Sequence, residues 1–405
     1  MKKRRLIAVG ACAIDTILQV PHFPQQDSKL RATGLTKRRG GNSPNSLEVL
    51  QQLLHAEHAR RIRISGPAEN IAVPELALIA TLPSRTSHQI PFILSSFRLR
   101  TGGSEAGSSA VCASTAVSQL QKPDIDFSHC IYREAHAEPI SSYIISDQST
   151  GSRTIVNHND LEEMTLDEFI ARADEILRSI SPGMDAQQEN EVEVEQIWFH
   201  FEGRIPPTTL ECIRYLRRHA AVAGIGTVPV TVILKLSVEL EKPYREGLQD
   251  LAYEADLIFY SRSWAEGEGY TSATDCLRKQ AAVLSFTSYD LAHSKRTLVC
   301  TWGDQGACAL SLPCSADRLE GSMVSSPAFG SDGSRVIDTV GAGDTFIAGM
   351  LFGFLCRDDG VSDADAPWSL RQKLDFANGL AGRKVVQQGF GGLGEQMERI
   401  LAEWR

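Results

Sequence analysis

The chain alternates short apolar runs with stretches whose apolar residues recur at helical spacing. Residues 6–9 form an apolar run that stops at Gly10, a buried strand by its length and its boundary. Residues 17–20 and 29–38 mix apolar and polar positions around Pro21, Pro24 and Asp27, which reads as exposed strands joined by turns. Gly40, Gly41 and Asn42 follow, and then Leu47, Leu50 and Leu54 share one face of a helix over 43–55. Residues 76–82 and 92–97 read as strands. The Gly, Ser and Ala-rich stretch 101–118 reads as a flexible loop whose latter half suits a small-residue helix. A hairpin is expected from 143–146 and 153–156 around a turn at 147–151. Thr165 and Glu168 make a capping box for a helix carrying Phe169, Ala173, Ile176 and Leu177, ended by Pro182. The acidic run 187–195 reads as a solvated loop.

Beyond it, strand and helix take turns. Strands are expected at 197–201, 230–236, 257–260 and 298–301, and helices at 207–218, 244–252, after Gly343 and, last, at 372–386. Such alternation predicts an α/β fold, a doubly wound and mostly parallel sheet with helices on both faces. The exposed strands at about 16–38 and parts of about 125–160 predict a small β-sheet lid. The whole chain, 1–405, reads as one domain, and its site belongs at the C-terminal ends of the parallel strands.

The chemistry concentrates in one stretch, Asp338-Thr339-Val340-Gly341-Ala342-Gly343-Asp344, where an apolar approach meets small residues and then a helix. Small residues leave backbone N–H groups uncovered at a helix N-terminus, which suits a phosphate or a developing oxyanion. A carboxylate beside such a cradle repels phosphate unless it has a task, and the task that fits is taking a proton from an attacking hydroxyl. The bland alternative is that Asp344 merely caps the helix. Near the N-terminus Asp15, Asp27, Gly41, Asn42 and Asn45 gather carboxylates and amides able to read vicinal hydroxyls, or else serve their own turns.

The string D-T-x-G-A-G-D-x-F resembles the C-terminal signature of the ribokinase-like (PfkB) sugar kinases. That resemblance implies a ribokinase-like fold, with Gly341, Ala342 and Gly343 as an anion hole and Asp344 as the base. No G-x-x-x-x-G-K-[ST] loop is present, so a P-loop kinase is not expected. Residues 6–50 are similar to the ketohexose-phosphorylating members, and the likeness continues through Ser152 to Val156, His200 to Arg204, Ser237 to Pro243, Thr301 to Ala307 and Gln388 to Phe390. It implies ATP-dependent phosphorylation of a ketohexose such as fructose, with Asp15, Asp27, Gly41, Asn42 and Asn45 on the sugar. Arg153 would neutralise the phosphoryl group, and Gly303, Gly306, Gly341, Gly343 and Asn378 would line the ATP site. Mg2+ would accompany ATP, with Glu239 holding the hydrated ion or else pairing with Lys242. The family's N-x-x-E pattern is replaced by Ser261 to Glu266. Extra residues fall mainly at about 85–120, 182–195, 220–230, 280–296 and 312–333. The resemblance also implies a homodimer whose lids clasp and lend Asp27 to the neighbour. A kinase for another sugar or a nucleoside, or a non-catalytic sugar sensor or scaffold, are the other readings.

Composition narrows the classes further. Hydrophobic residues make up 42% and charged residues 22%, as in globular proteins, and the net charge of −9 argues against nucleic acid as a partner. Nine scattered cysteines without metal spacing predict free thiols in a reducing, cytoplasmic setting. The basic start, Lys2 to Arg5, leads into a strand rather than a signal peptide, and no run is long enough to span a membrane.

Overall fold

A computed structural model of the chain describes residues 3–65, 73–97, 125–179, 193–219, 230–285, 296–312, 322–329, 336–358 and 366–403. Nine strands form one sheet in the order Met323–Ser326, Ala307–Leu312, Arg296–Thr301, Leu257–Tyr260, Val230–Leu240, Glu193–Glu202, Lys3–Val9, Glu75–Ile79 and Ile125–Asp126. Every neighbouring pair is parallel except the two at the Met323–Ser326 edge. The expected doubly wound, mostly parallel sheet is therefore present.

Side chains alternate across this sheet and feed two cores. Leu6 and Ala8 face a cluster built on helices Asn42–Ser65, Ala342–Cys356 and Leu370–Val385. Ile7 and Val9 face the opposite cluster, built on helices Leu166–Arg178, Pro206–His219 and Ala273–Ser285. The helix Ala342–Cys356 is buried on nearly every side, which explains why its sequence is apolar all round rather than striped. The capping box at Thr165 and Glu168 is present in full.

The lid is a separate four-stranded sheet ordered Gly34–Gly40, Ala13–Val20, Ile140–Asp147, Arg153–His158. Its last two strands are the expected hairpin. Residues 29–33 are not strand, and Ile125–Asp126 and Ile131–Arg133 lie outside the lid, in the large sheet and in a two-stranded ribbon with Thr81–Pro83.

Other expectations fail for local reasons. Residues 92–97 fall in and after the helix Gln89–Ser95, because Ile90 and Ile93 bury on one helical face. The strand expected over 76–82 is two strands, Glu75–Ile79 and Thr81–Pro83, broken at Ala80. The helix expected over 244–252 forms only as Asp250–Glu254, since Tyr244 and Gly247 take positive φ of 60° and 76°. The acidic run does not end in a loop: Glu195 is buried in the strand Glu193–Glu202 and pairs with Arg5 at 2.8 Å. A further helix, Leu393–Glu403, follows the one expected to be last. Of the stretches read as extra, 280–296 contains the end of helix Ala273–Ser285, and 312–333 contains the strand Met323–Ser326. Residues 101–118, Ile180, Pro182 and 220–229 lie outside the described residues.

Candidate active site

Between the lid and the C-terminal ends of the parallel strands lies a cleft of about 410 Å³. The sheet contributes Glu202, Leu240, Tyr260 and Thr301 from four neighbouring strand ends, the lid contributes Asp15, Ser142, Arg153 and Ile155, and the remaining wall is the loop before the helix Ala342–Cys356. Asp15, Gly41, Asn42, Asn45, Arg153, Glu239, Gly341, Gly343 and Asp344, scattered over the sequence, all line it.

The helix at this loop begins at Ala342, its N-cap is Gly341 at φ 82°, and no side chain caps it. Asp344 therefore sits in the first turn and is not the cap. A Cβ at Gly341 would meet the Phe390 ring at 2.4 Å, so only glycine fits there. Nothing lies within 4 Å of a Cβ placed on Gly343, which leaves that face of the loop open to a ligand. Asp344 is buried, and its Oδ2 accepts from Asn45 Nδ2 at 2.6 Å. Burial, and then the nearby charge of Glu239, push its carboxyl well above the usual carboxylate range, with Asn45 opposing.

Asn45 is engaged at both its oxygen and its nitrogen. Its Oδ1 accepts from Arg39 Nη1 at 2.5 Å, and Arg39 is itself fixed by Glu48, Ser96 and the Phe97 ring. The amide expected to read sugar thus holds the carboxylate in place. Asn42 donates through Nδ2 to Glu239 Oε2 at 3.1 Å and to Glu241 Oε2 at 3.0 Å, keeping its own oxygen for other donors.

Glu239 is buried and does not pair with Lys242, which instead meets Glu241 at 2.9 Å. Its second oxygen lies 3.0 Å from His200 Nε2, and His200 Nδ1 lies 2.8 Å from Ser237 Oγ, which accepts from Trp198 Nε1. Burial holds His200 down at about 4, so the ring is neutral near pH 7. One assignment satisfies the whole chain: Trp198 donates to Ser237, Ser237 to Nδ1, and Nε2–H to Glu239. Burial and the Glu241 charge raise Glu239 to about 8, and burial with Glu239 raises Glu202 to about 7. Glu202 accepts from the Ala11 amide at 2.9 Å.

The loop's root is organised by Asp338. Its Oδ1 accepts from the Val340 amide at 3.0 Å, and its Oδ2 from Lys384 Nζ at 2.8 Å, Arg38 Nη1 at 2.8 Å and the Gly389 amide at 3.2 Å. Lys384, wholly buried, also donates to the Asp338 carbonyl at 2.9 Å. Burial pushes the Asp338 carboxyl up, but Arg38 and Lys384 outweigh it and hold it below its ordinary value. Arg153 reaches the same loop from the lid and donates to Thr339 Oγ1 at 2.7 Å.

Four expected residues are elsewhere. Asp27 is exposed on the lid turn at φ 60°. Gly303 and Gly306 take positive φ in the turn after Thr301, where a Cβ on Gly306 would strike the Ser326 carbonyl, and Asn378 donates to that same carbonyl at 3.0 Å. At the altered N-x-x-E position, Ser261 caps a short helix and Glu266 pairs with Arg262 at 2.7 Å. Arg38, Lys384, Glu241 and His200 had no role in the reading of the sequence. The helical spacing of Lys384 with Phe376, Ala377 and Leu380 on helix Leu370–Val385 was the one visible signal among them.

Among the described residues no helix is long and apolar enough to cross a membrane, and no group of three or more His, Cys, Asp or Glu side chains is gathered to hold a metal directly.

Known proteins share both fold and sequence with this chain. It is 26% identical to the mouse (Mus musculus) ketohexokinase over 97% of its own length and all of that protein. Among solved structures, a ribokinase from Giardia lamblia superposes with a TM-score of 0.63 at 14% identity, each chain covered in full. A ribokinase from Cryptococcus neoformans in complex with ADP gives 0.52 at 15% identity, with 98% of this chain and all of that one covered. These two carry the fold. The sequence model of the pfkB carbohydrate kinases matches residues 112–393, most of the chain and all of the loop that ends at Asp344, and the chain belongs to that family.

Proposed function

We propose that the protein transfers the γ-phosphoryl group of ATP to a hydroxyl of a ketohexose such as fructose. The observation that carries this reading is the meeting of a buried, unneutralised carboxylate, Asp344, with an open glycine-lined helix N-terminus in a cleft walled by Asp15 and Asn42. A carboxylate made more basic by burial is suited to take the hydroxyl proton, and Asn45 keeps its Oδ2 aimed while leaving Oδ1 for that proton. The amides of Gly341 and Gly343 and the helix dipole then face the charge of the transferred group, the Ala342 amide being turned to the Thr339 carbonyl, and Arg153, beside Thr339, adds a guanidinium from the lid. The reaction asks for positioning and charge stabilisation rather than covalent catalysis.

Mg2+ fits the donor set. Glu202, Glu239 and Glu241 make the cleft wall acidic without forming a direct ligand cage, as suits an ion that arrives with the nucleotide and keeps most of its waters. Glu241, shared between Asn42 and Lys242 and partly exposed, is more available to such waters than Glu239, whose two oxygens are already engaged. Such an ion would supply neutralisation of the phosphoryl charge.

The lid supports assembly as a homodimer. Its outward face carries Leu35, Tyr143 and Val156 at 69%, 50% and 58% exposure, and its two edge strands are unpaired among the described residues. Asp27, on the exposed lid turn, would then approach the neighbour's cleft. Light scattering at micromolar concentration should give twice the mass of the chain; a purely monomeric species contradicts the dimer.

Radiolabelled ATP tested over fructose, glucose, ribose and adenosine, with and without EDTA, checks the reaction. Fructose should give the highest kcat/KM, and EDTA should abolish transfer. A panel led by adenosine, or transfer to none of these acceptors, would replace the proposal.

A further inference from the structure

Arg38 stands where the two halves of the cleft meet. It lies on the lid strand Gly34–Gly40, opposite Asp15 in register, and its Nε is 3.7 Å from Asp15 Oδ2. Its Nη1 donates at 2.8 Å to Asp338 Oδ2, at the root of the Gly341 to Gly343 loop. Its third nitrogen, Nη2, is buried without a hydrogen-bond partner. One guanidinium is thus shared unequally between the carboxylate facing the sugar side of the cleft and the carboxylate that anchors the anion loop.

Neither carboxylate is free to follow it. A Cβ on Gly40 would lie 2.2 Å from Asp15 Oδ1, so Asp15 is seated tightly against the neighbouring strand. Asp338 is tied by Lys384 and by the Val340 and Gly389 amides. Any change in how strongly Asp15 attracts Arg38 therefore has to appear as a shift of Arg38 toward or away from Asp338.

We infer that Arg38 is a positioning residue that couples occupancy of the sugar side to the set of the anion loop. The inference rests on the reading that a sugar hydroxyl meets Asp15. A hydroxyl donating to Asp15 fills lone pairs that otherwise attract the guanidinium, and Arg38 then commits to Asp338, which holds the loop and its amides in one arrangement. A loop already ordered when the nucleotide arrives has less freedom to lose, so sugar raises nucleotide affinity, and by linkage nucleotide raises sugar affinity equally. Arg153 also bridges lid and loop, but it is exposed and contacts the neutral Thr339, so it does not sense the charge state around Asp15.

The test is calorimetric binding of AMP-PNP to the full chain with and without saturating fructose, for wild type, Arg38→Gln and Arg38→Lys. Wild type should bind AMP-PNP about fivefold or more tightly when fructose is present. In Arg38→Gln the ratio of AMP-PNP affinities with and without fructose should fall to about one even where the sugar-free affinity itself drops, whereas general loosening of the fold would weaken both and keep the ratio. Arg38→Lys keeps the charge but cannot span both carboxylates, and should keep less than half of the wild-type factor. It decides the matter if Arg38→Gln does not fold. Full coupling in either variant, or fructose binding to wild type with no change in AMP-PNP affinity, overturns the role of Arg38 and leaves the proposed reaction standing. If neither fructose nor any other sugar of the panel binds to wild type, the proposed reaction falls and the coupling with it.

Discussion

Two aspartates six residues apart on the same segment end in opposite electrostatic situations. Asp338 receives Arg38, Lys384 and two amides and is held below its ordinary carboxyl range, whereas Asp344 receives, among the described residues, only Asn45 and faces Glu239, Glu241 and Glu202. The same side chain is a fixed structural anion at the loop's root and, in the proposed reaction, the basic group near its tip. What separates them is not residue type but which counter-charges the fold delivers, and environments that push like groups apart in this way mark which one does proton chemistry.

The strongest way to break this contrast is to neutralise each aspartate in turn. Asp344→Asn keeps the shape and the Asn45 contact but removes the proton acceptor, so kcat should fall by about 10³-fold while ATP affinity stays within about threefold. Rates from stopped assays and nucleotide binding by calorimetry check it, and turnover close to wild type would leave Asp344 without the role of base. Asp338→Asn should act on stability instead. It strips the counter-charge from a wholly buried Lys384 and from Arg38, at a cost of about 3 kcal/mol read from the urea midpoint. A loss below about 1 kcal/mol would mean that the two cations find other partners.

The contrast also marks what was legible in sequence. The loop's place at a helix start and its family were, because both are written in contiguous residues: Gly341 and Gly343 are small, a helix follows them, and the whole string resembles one family. The alternating strands were legible because two-sided burial demands apolar runs such as 257–260. The counter-charges were not. Arg38 and Lys384 lie about 300 and 46 residues from Asp338, and only the helical spacing of Lys384 with Phe376, Ala377 and Leu380 sets either apart from a surface cation. The hold of Asn45 on Asp344 was not legible, because an isolated amide near a Gly-Gly turn carries no sign of which partner will use it. That contact exists only once the helices Asn42–Ser65 and Ala342–Cys356 are packed together. The helix Gln89–Ser95 was misread as strand because a short apolar run fits either period. The broken helix at Tyr244 reflects a positive φ that no bulky side chain announces.

The smallest expected effect bears most directly on the central claim, that Asp344 is the base and that its uncompensated neighbours set its basicity. It is the pH dependence of kcat/KM for fructose in wild type and Glu239→Gln. Activity rises on the acid limb as Asp344 loses its proton, and a negative Glu239 opposes that loss. The amide removes this charge and should move the acid limb to lower pH. An acid limb that stays in place, or moves to higher pH, would contradict the account.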